Sequence, residues 1–358
     1  MRRKTYSHGG NWREVAKEYG LSPNNILDFS ANINPWTSSP GVEEIVKDNL
    51  KDIYHYPDPQ CTQLIKQISQ YLGVDRENIL AGNGSTELIY LAARALLPPR
   101  ALIFAPTFSE YERALKASGG EPKFLFLKES QGFSVNIQRI IDETKDVQAL
   151  FICNPNNPTG TFFPKAELLQ VLKITEERKI GFILDESYLD FKYPGETLVK
   201  EAQKSDHLLV LRSFTKFFAI AGLRLGYGVA GRYLIEKMVG LKEPWTVNCL
   251  AQAAGIYLLK NEEKIKKIRE AVNKESEFLF GVLSRIAGLK PYPPEANFIL
   301  VKIETGPSSS KLQEDLARRG ILIRGCSNFR GLKDKFFRVA VRKREENLRL
   351  IDSLREAI

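Results

Sequence analysis

A chain of 358 residues with 43% hydrophobic and 27% charged residues can bury the core of two domains or one large α/β unit, and it lies outside disordered, collagen-like and coiled-coil composition. Its four cysteines (61, 153, 249, 326) form no Cys-x-x-Cys pair and have three histidines (8, 55, 207) for company, so reduced thiols are expected, with neither a disulfide framework nor a structural metal. The net charge is +9, and between Lys311 and Arg344 eleven basic residues face three acids; the expected partner is nucleic-acid phosphate or a small phosphorylated metabolite, unless these are ordinary solvated helix faces.

In chain order, Met1 to Thr5 run into His8-Gly9-Gly10-Asn11 with no apolar signal-peptide core, and no run nears the ~18 apolar residues of a membrane span, so a cytoplasmic protein is expected. A short apolar run at 78–80 leads into Gly82-Asn83-Gly84-Ser85-Thr86-Glu87, which opens an apolar-periodic helix. Free N–H groups at such a helix start favour an anion by ~0.3–1 kcal/mol, so the segment reads as a phosphate cup or a plain Ser-Thr cap. It is not a P-loop, lacking Gly-Lys-Ser/Thr, and Glu87 stands where a dinucleotide fingerprint needs its third glycine.

Apolar runs at 101–104, 124–127, 149–153, 181–184 and 208–211 alternate with helical stretches such as 165–177. Continuous apolar strands buried on both faces predict a mainly parallel sheet with helices on both sides. Beyond about residue 240 the rhythm changes to a helix over 262–285, a strand over 297–301, a helix over 309–319 and a strand over 336–340, which predicts a smaller C-terminal α+β domain. The expected division is an N-terminal arm at 1–40, a large α/β domain at 41–240 and a small domain at 241–358.

Ligands of such sheets sit beyond the carboxyl ends of the strands, and the polar residues cluster there. Lys216 follows Ser213 by three residues and precedes Arg224 by eight, a spacing suited to a Schiff-base lysine whose cofactor phosphate is held by the serine hydroxyl and the guanidinium. Asp185, at the mouth of its strand, suits a protonated pyridine nitrogen, and Asn157 and Tyr188 suit the ring oxygen. Phe108, after the run at 101–104, suits stacking on a planar ring. Singly, each has a plainer reading as strand end, helix cap, turn or core, and the combination is what points to chemistry.

Gly-x-Gly-Ser-Thr, Asn-Pro-x-Asn-Pro-Thr-Gly, Asp-Glu-x-Tyr, Ser-x-x-Lys and Arg-x-Gly-Tyr resemble, in order and spacing, the class I/II aminotransferase family of fold-type-I pyridoxal 5′-phosphate (PLP) enzymes over essentially the whole chain. The resemblance implies PLP as cofactor, with Lys216 bonded to it, Asp185 at its ring nitrogen, Asn157 and Tyr188 at its ring oxygen, Phe108 stacked on it, and Gly84, Ser85, Thr86, Ser213 and Arg224 around its phosphate. It also implies a homodimer in which Tyr56, in His55-Tyr56-Pro57, reaches the neighbouring subunit's cofactor.

Within the family, the opening His8-Gly9-Gly10-Asn11 and Ser30-Ala31-Asn32-Ile33-Asn34-Pro35 resemble threonine-phosphate decarboxylases of the cobalamin nucleotide loop, with histidinol-phosphate aminotransferases as the alternative. By that resemblance His8, Asn32, Arg324 and Arg338 surround a substrate carrying both phosphate and carboxylate, the two arginines sharing these groups in an order left open. The expected reaction is decarboxylation of O-phospho-L-threonine, or O-phospho-L-serine, to an amino-alcohol phosphate. A non-enzymatic DNA-binding sensor is disfavoured, since the resemblance starts near the N-terminus and leaves no separate helix-turn-helix domain. No nucleic acid, membrane or metal partner is expected.

Overall fold

The computed structural model describes residues 8–36, 40–192 and 195–358. The first seven residues, read above for the lack of a signal-peptide core, lie outside the described residues. The strands in chain order are β1 (Leu27–Asp28), β2 (Ile79–Gly82), β3 (Arg100–Ala105), β4 (Glu121–Phe126), β5 (Ala149–Cys153), β6 (Gly181–Asp185), β7 (Leu208–Ser213), β8 (Gly226–Ala230), β9 (Leu289–Pro291), β10 (Phe298–Ile303), β11 (Ile321–Leu322), β12 (Arg324–Gly325) and β13 (Phe336–Ala340).

The apolar runs at 149–153, 181–184 and 208–211 become β5, β6 and β7, buried at every position. They lie in the middle of a seven-stranded sheet ordered β2-β8-β7-β6-β5-β3-β4. Pairing along β4-β3-β5-β6-β7 is parallel, whereas β8 runs antiparallel to both β7 and β2. The chain turns outward from β3 to β4 and returns on the other side of β3 to make β5, so the topological switch lies between β3 and β5. The segments that follow those two strands carry Phe108 and Asn157, which places both at the crevice where such sheets bind ligands.

Two strands depart from expectation. The run at 124–127 was expected to be buried on both faces, but β4 starts at Glu121 and is an edge strand whose Phe126 is exposed. Pro122 is tolerated within it because an edge strand has one unpaired side. β8 carries two glycines in five residues and gives no apolar signal of its own. Its glycines are demanded from outside the strand: a Cβ on Gly226 would lie 2.4 Å from the Ser85 amide nitrogen. That close passage holds β8, and the turn bearing Arg224 before it, against the start of the helix Gly84–Leu96.

The smaller sheet is antiparallel and ordered β12-β13-β10-β9. It is covered by the helices Glu262–Leu283, Ser309–Arg318 and Arg344–Ala357, and its core includes Phe337, Val339, Leu350 and Leu354. β1 pairs in parallel with β11, and Phe29 enters the same core, so residues 27–29 are stitched to the small domain. The long helix bridges the two cores: Ile265, Ile268 and Val272 pack with the large domain, Leu279 and Leu283 with the small one. No described helix is long and apolar enough to cross a membrane.

Six of the eleven basic residues of the segment are paired in place. Lys311, Arg318, Arg319, Arg330, Arg342 and Arg344 pair with Asp315, Glu314, Glu356, Glu112, Glu346 and Glu275. Arg324 and Arg338 are buried instead, and both open onto one cavity.

Candidate active site

A cavity of about 470 Å³ lies at the carboxyl ends of the central strands, between the two sheets, in the size range of small-molecule sites. Its lining brings together Lys216, Asp185, Tyr188, Asn157, Ser85, Thr86, Phe108, Arg224, His8, Asn32, Arg324 and Arg338.

β7 delivers Lys216. Ser213, its last residue, caps the short helix Phe214–Phe217, accepting the Thr215 N–H at 3.3 Å, and Lys216 projects from that turn 5.4 Å from the centre of the Tyr188 ring. Burial, reinforced by Arg224 and Arg338 and opposed by Asp185, lowers the pKa of the Lys216 amine, which favours the neutral, nucleophilic form. β6 ends on Asp185, whose carboxylate accepts the Tyr111 hydroxyl at 2.7 Å and the Ser187 N–H at 2.9 Å.

Burial pushes the Tyr188 phenol up to about 12, so it stays a neutral donor; Asn32 Nδ2 donates to its oxygen at 3.3 Å. Asn157 Oδ1 accepts from Arg338 Nη1, and Arg338 Nη2 donates to the Ser30 carbonyl at 2.8 Å. Cys153 also lines the cavity, and burial holds its thiol up at about 12, neutral and unreactive.

The cup has unusual electrostatics. Arg224 lies across the N-terminus of the helix Gly84–Leu96, so close that a Cβ on Gly84 would lie 2.6 Å from its Nη2. A guanidinium beside the positive end of a helix dipole is repulsive unless an anion sits between them. Gly84 itself adopts φ +76°, a backbone conformation glycine takes without strain. Gly84 and Ser213 therefore shape the cup from behind: Ser213 Oγ lies 2.7 Å from Thr215 Oγ1, and it is Thr215 that lines the cavity.

Tyr56 is not in the cavity of its own chain. It is 79% exposed and stacks on Trp245 with ring centres 4.6 Å apart.

Arg324 and Arg338 are directly opposite each other across the β12–β13 pair, so both side chains leave the sheet on the same face. Arg324 donates to the Gly325 carbonyl at 2.6 Å and to Asn328 Oδ1 at 2.8 Å. Among the described residues neither arginine has a carboxylate partner, and burial together with Arg338 depresses Arg324 to about 10. Arg338 Nε and Asn32 Oδ1 are buried without a hydrogen-bond partner. Two buried cations without an ion-pair partner among the described residues, and unsatisfied polar atoms in the same cavity, call for a ligand with more than one anionic group.

Glu110, Tyr111 and Arg113 were not among the expected residues. The carboxylate of Glu110 receives His8 Nε2 at 3.2 Å, Arg113 Nη1 at 2.7 Å and the Tyr90 hydroxyl at 3.0 Å. Burial pulls the Glu110 carboxyl up, but these three donors outweigh it and hold its pKa down at about 2. The helix Glu110–Ala117 begins two residues after Phe108, and Phe108 and Tyr111, three apart, meet edge to face with ring centres 5.7 Å apart. That spacing is the signal that leads from Phe108 to the others.

The two glycines after His8 have a steric reason. A Cβ on Gly9 would lie 2.1 Å from the Ser30 carbonyl oxygen, and Gly10, at φ +92°, donates its N–H to Ser30 Oγ at 2.9 Å. Gly9→Ala is expected to lift the arm and take His8 off the cavity. A loss of ~1–2 kcal/mol corresponds to a rise of roughly 5–30-fold in substrate KM. Thermal melting within about a degree of the parent would confirm that only the arm has moved.

Residues 24–354 match the model of the aminotransferase class I and II family. The chain belongs to that family. A relative from Caldanaerobacter subterraneus, whose name marks it provisionally as a threonine-phosphate decarboxylase, is 43% identical over 357 residues, 98% of this chain and 94% of that one. The threonine-phosphate decarboxylase of Salmonella typhimurium is 39% identical over 355 residues, covering 98% of this chain and 96% of that one. The crystal structure of the histidinol-phosphate aminotransferase from Clostridium acetobutylicum superposes with a TM-score of 0.87 at 33% identity, covering 92% of this chain and 98% of that chain.

The family consists of fold-type-I PLP enzymes, and the residues present fit the cofactor. An amine of lowered pKa, a carboxylate at a strand end, a neutral phenol, an aromatic face and an anion cup with an uncompensated guanidinium converge on one cavity. The protein is a PLP-dependent enzyme.

Proposed function

We propose that the protein decarboxylates a phosphorylated amino acid, O-phospho-L-threonine first and O-phospho-L-serine second, giving 1-amino-2-propanol phosphate or ethanolamine phosphate and carbon dioxide. The observation that carries this reading is the pair of cross-strand arginines, 324 and 338, buried in the cavity without acidic partners. A substrate with both phosphate and carboxylate supplies the two missing anions, and His8 adds a third polar contact from the arm.

In this reading Asp185 would hold the cofactor ring nitrogen, Asn157 and Tyr188 its ring oxygen, Phe108 its face, and Ser85, Thr86 and Arg224 its phosphate, with Gly84 and Ser213 supporting that cup from behind. Bound PLP supplies an electron sink for the pair left at Cα when the bond to the carboxylate breaks. Arg324, Arg338, Asn32 and His8 would bind the phosphate and carboxylate of the substrate and so fix its orientation, which decides whether the bond to the carboxylate or Cα–H is the one that breaks. Lys216 Nζ, which lines the cavity, would take up the proton given off by the incoming substrate ammonium group and return it to Cα after carbon dioxide leaves. The neutral Tyr188 hydroxyl donates and keeps its proton throughout, and Tyr111 and Ser187 hold the Asp185 carboxylate in one orientation.

The reading divides the chain into an arm at 1–40, a cofactor domain at 41–240 and a small domain at 241–358, in a cytoplasmic homodimer whose Tyr56 reaches the partner's cofactor phosphate. Its product is the amino-alcohol phosphate used for the cobalamin nucleotide loop. The likeness to a histidinol-phosphate aminotransferase over most of both chains supports a second reading, transamination at the same site.

Product analysis by mass spectrometry separates the two. PLP-loaded protein given O-phospho-L-threonine without a keto acid is expected to release aminopropanol phosphate through many turnovers. No amine product, together with amino transfer from glutamate to imidazole-acetol phosphate, would establish the aminotransferase instead.

A further inference from the structure

The loop after β12 carries Asn328 and Phe329, both at the guanidinium of Arg324: Asn328 Oδ1 accepts from Nη2 at 2.8 Å and the Phe329 ring centre lies 5.1 Å away. The next residue leaves the small domain. Arg330 Nη2 reaches Glu112 Oε1 at 2.9 Å and Oε2 at 3.1 Å, Nε reaches Oε2 at 3.3 Å, and the guanidinium stacks on Phe124 of β4 at 4.3 Å. Glu112 stands on the helix Glu110–Ala117, two residues after the Glu110 that holds His8. Both segments that reach over the cavity, the arm and the small-domain loop, are therefore fastened to one short helix of the large domain.

Glu112 and Arg330 touch no part of the main cavity. They line a neighbouring one of about 430 Å³ that shares Phe108, Ser109, Asn328 and Phe329 with it. Their fork closes the wall on that side, and the loop it fixes is the one that orients Arg324.

We propose that Glu112 and Arg330 are positioning residues that hold the Arg324 loop in its anion-binding place, an inference that rests on the reading of Arg324 as a substrate-anion ligand. The other charged group at the pair is Lys116, which donates to Glu112 Oε1 at 2.7 Å and stays bonded to it when Arg330 is removed. A lone exposed ion pair contributes little; this one is forked, stacked on an aromatic ring and coupled to a buried ligand, so its loss falls on binding rather than on folding.

The test is a double-substitution cycle of Glu112→Gln, Arg330→Gln and both together, in the PLP-loaded enzyme so that the cofactor's own phosphate fills the cup. Inorganic phosphate is the binding probe, followed by its effect on cofactor absorbance, and kcat and KM are measured with O-phospho-L-threonine. Each single substitution is expected to weaken phosphate binding and raise KM by about 3–5-fold with kcat nearly unchanged, and the double variant to be no worse than either single one. Phosphate bound as tightly by both single variants as by the parent, or losses that multiply in the double variant, would overturn the proposal. The phosphate measurement needs no turnover, so a parent enzyme that binds phosphate but releases no carbon dioxide rejects the decarboxylase reading while the cycle still decides the role of the pair.

Discussion

Lys216→Ala is expected to cut kcat by roughly 10²–10⁴-fold or beyond while substrate affinity changes little, the largest loss available from a single side chain. The amine projects from the β7 turn toward the Tyr188 ring, and among the described residues no second lysine lines the space. The groups assigned to the cofactor's ring and phosphate are all elsewhere: Asp185, Tyr188, Asn157, Phe108, Ser85, Thr86 and Arg224. The variant should therefore still take up PLP, but reversibly, so that dialysis removes it and the absorbance of the bound form changes character. Burial lowers the Lys216 pKa, so the parent apoprotein should take up PLP faster as pH rises through that lowered value, and the variant should lose this dependence. A variant that turns over normally, or holds PLP as firmly as the parent, would place the reactive nitrogen at another residue.

The central strands were legible because β5, β6 and β7 are buried on both faces, and a strand with two apolar faces shows in composition alone. β8 was not, because its residues answer to the helix start lying over it: Gly226 is required by the Ser85 amide, a contact between positions far apart in the chain. The same divide runs through the site. Lys216, Asp185 and Asn157 lie at or within four residues of strand ends, where the turn chemistry is visible in order and spacing. Glu110, Tyr111 and Arg113 sit on a helix whose inward face is known only after packing, and the partner of Tyr111, Asp185, is 74 residues away. Tyr56 illustrates the limit from the other side, since its expected role depends on a second chain and its own chain leaves it exposed.

The charge balance followed a similar course. The excess between Lys311 and Arg344 pointed to an anionic partner without distinguishing a broad stripe from a pocket. Pairing along helices at i, i+4 and across to Glu275, Glu112 and Glu356 occupies six of the eleven basic residues. The arginines left without acids are the two that the β12–β13 register sets side by side in the cavity.

Arg324→Met and Arg338→Met should consequently have opposite effects on folding and on binding. In the free protein both guanidiniums are desolvated and neither forms an ion pair with a carboxylate among the described residues; burial and Arg338 hold Arg324 down at about 10, and burial lowers Arg338 against the opposing pull of Asp28. Replacing such a buried cation by an apolar side chain of similar length removes that cost, so ligand-free melting should be unchanged or raised, even after losing the bonds of Arg324 to Gly325 and Asn328. With a phosphorylated amino acid present the sign reverses. Truncating one partner of a buried charge pair costs about 2–5 kcal/mol, roughly 30- to 5,000-fold in affinity. The pH dependence has the matching sign: Arg324 is fully charged at neutral pH and loses its proton as pH rises through about 10, so phosphate binding by the parent should decline across that value. Arg324→Met should bind weakly below it and show no further decline there. If both variants melted well below the parent while binding substrate normally, the arginines would be structural, and the site for the second anion would have to lie elsewhere.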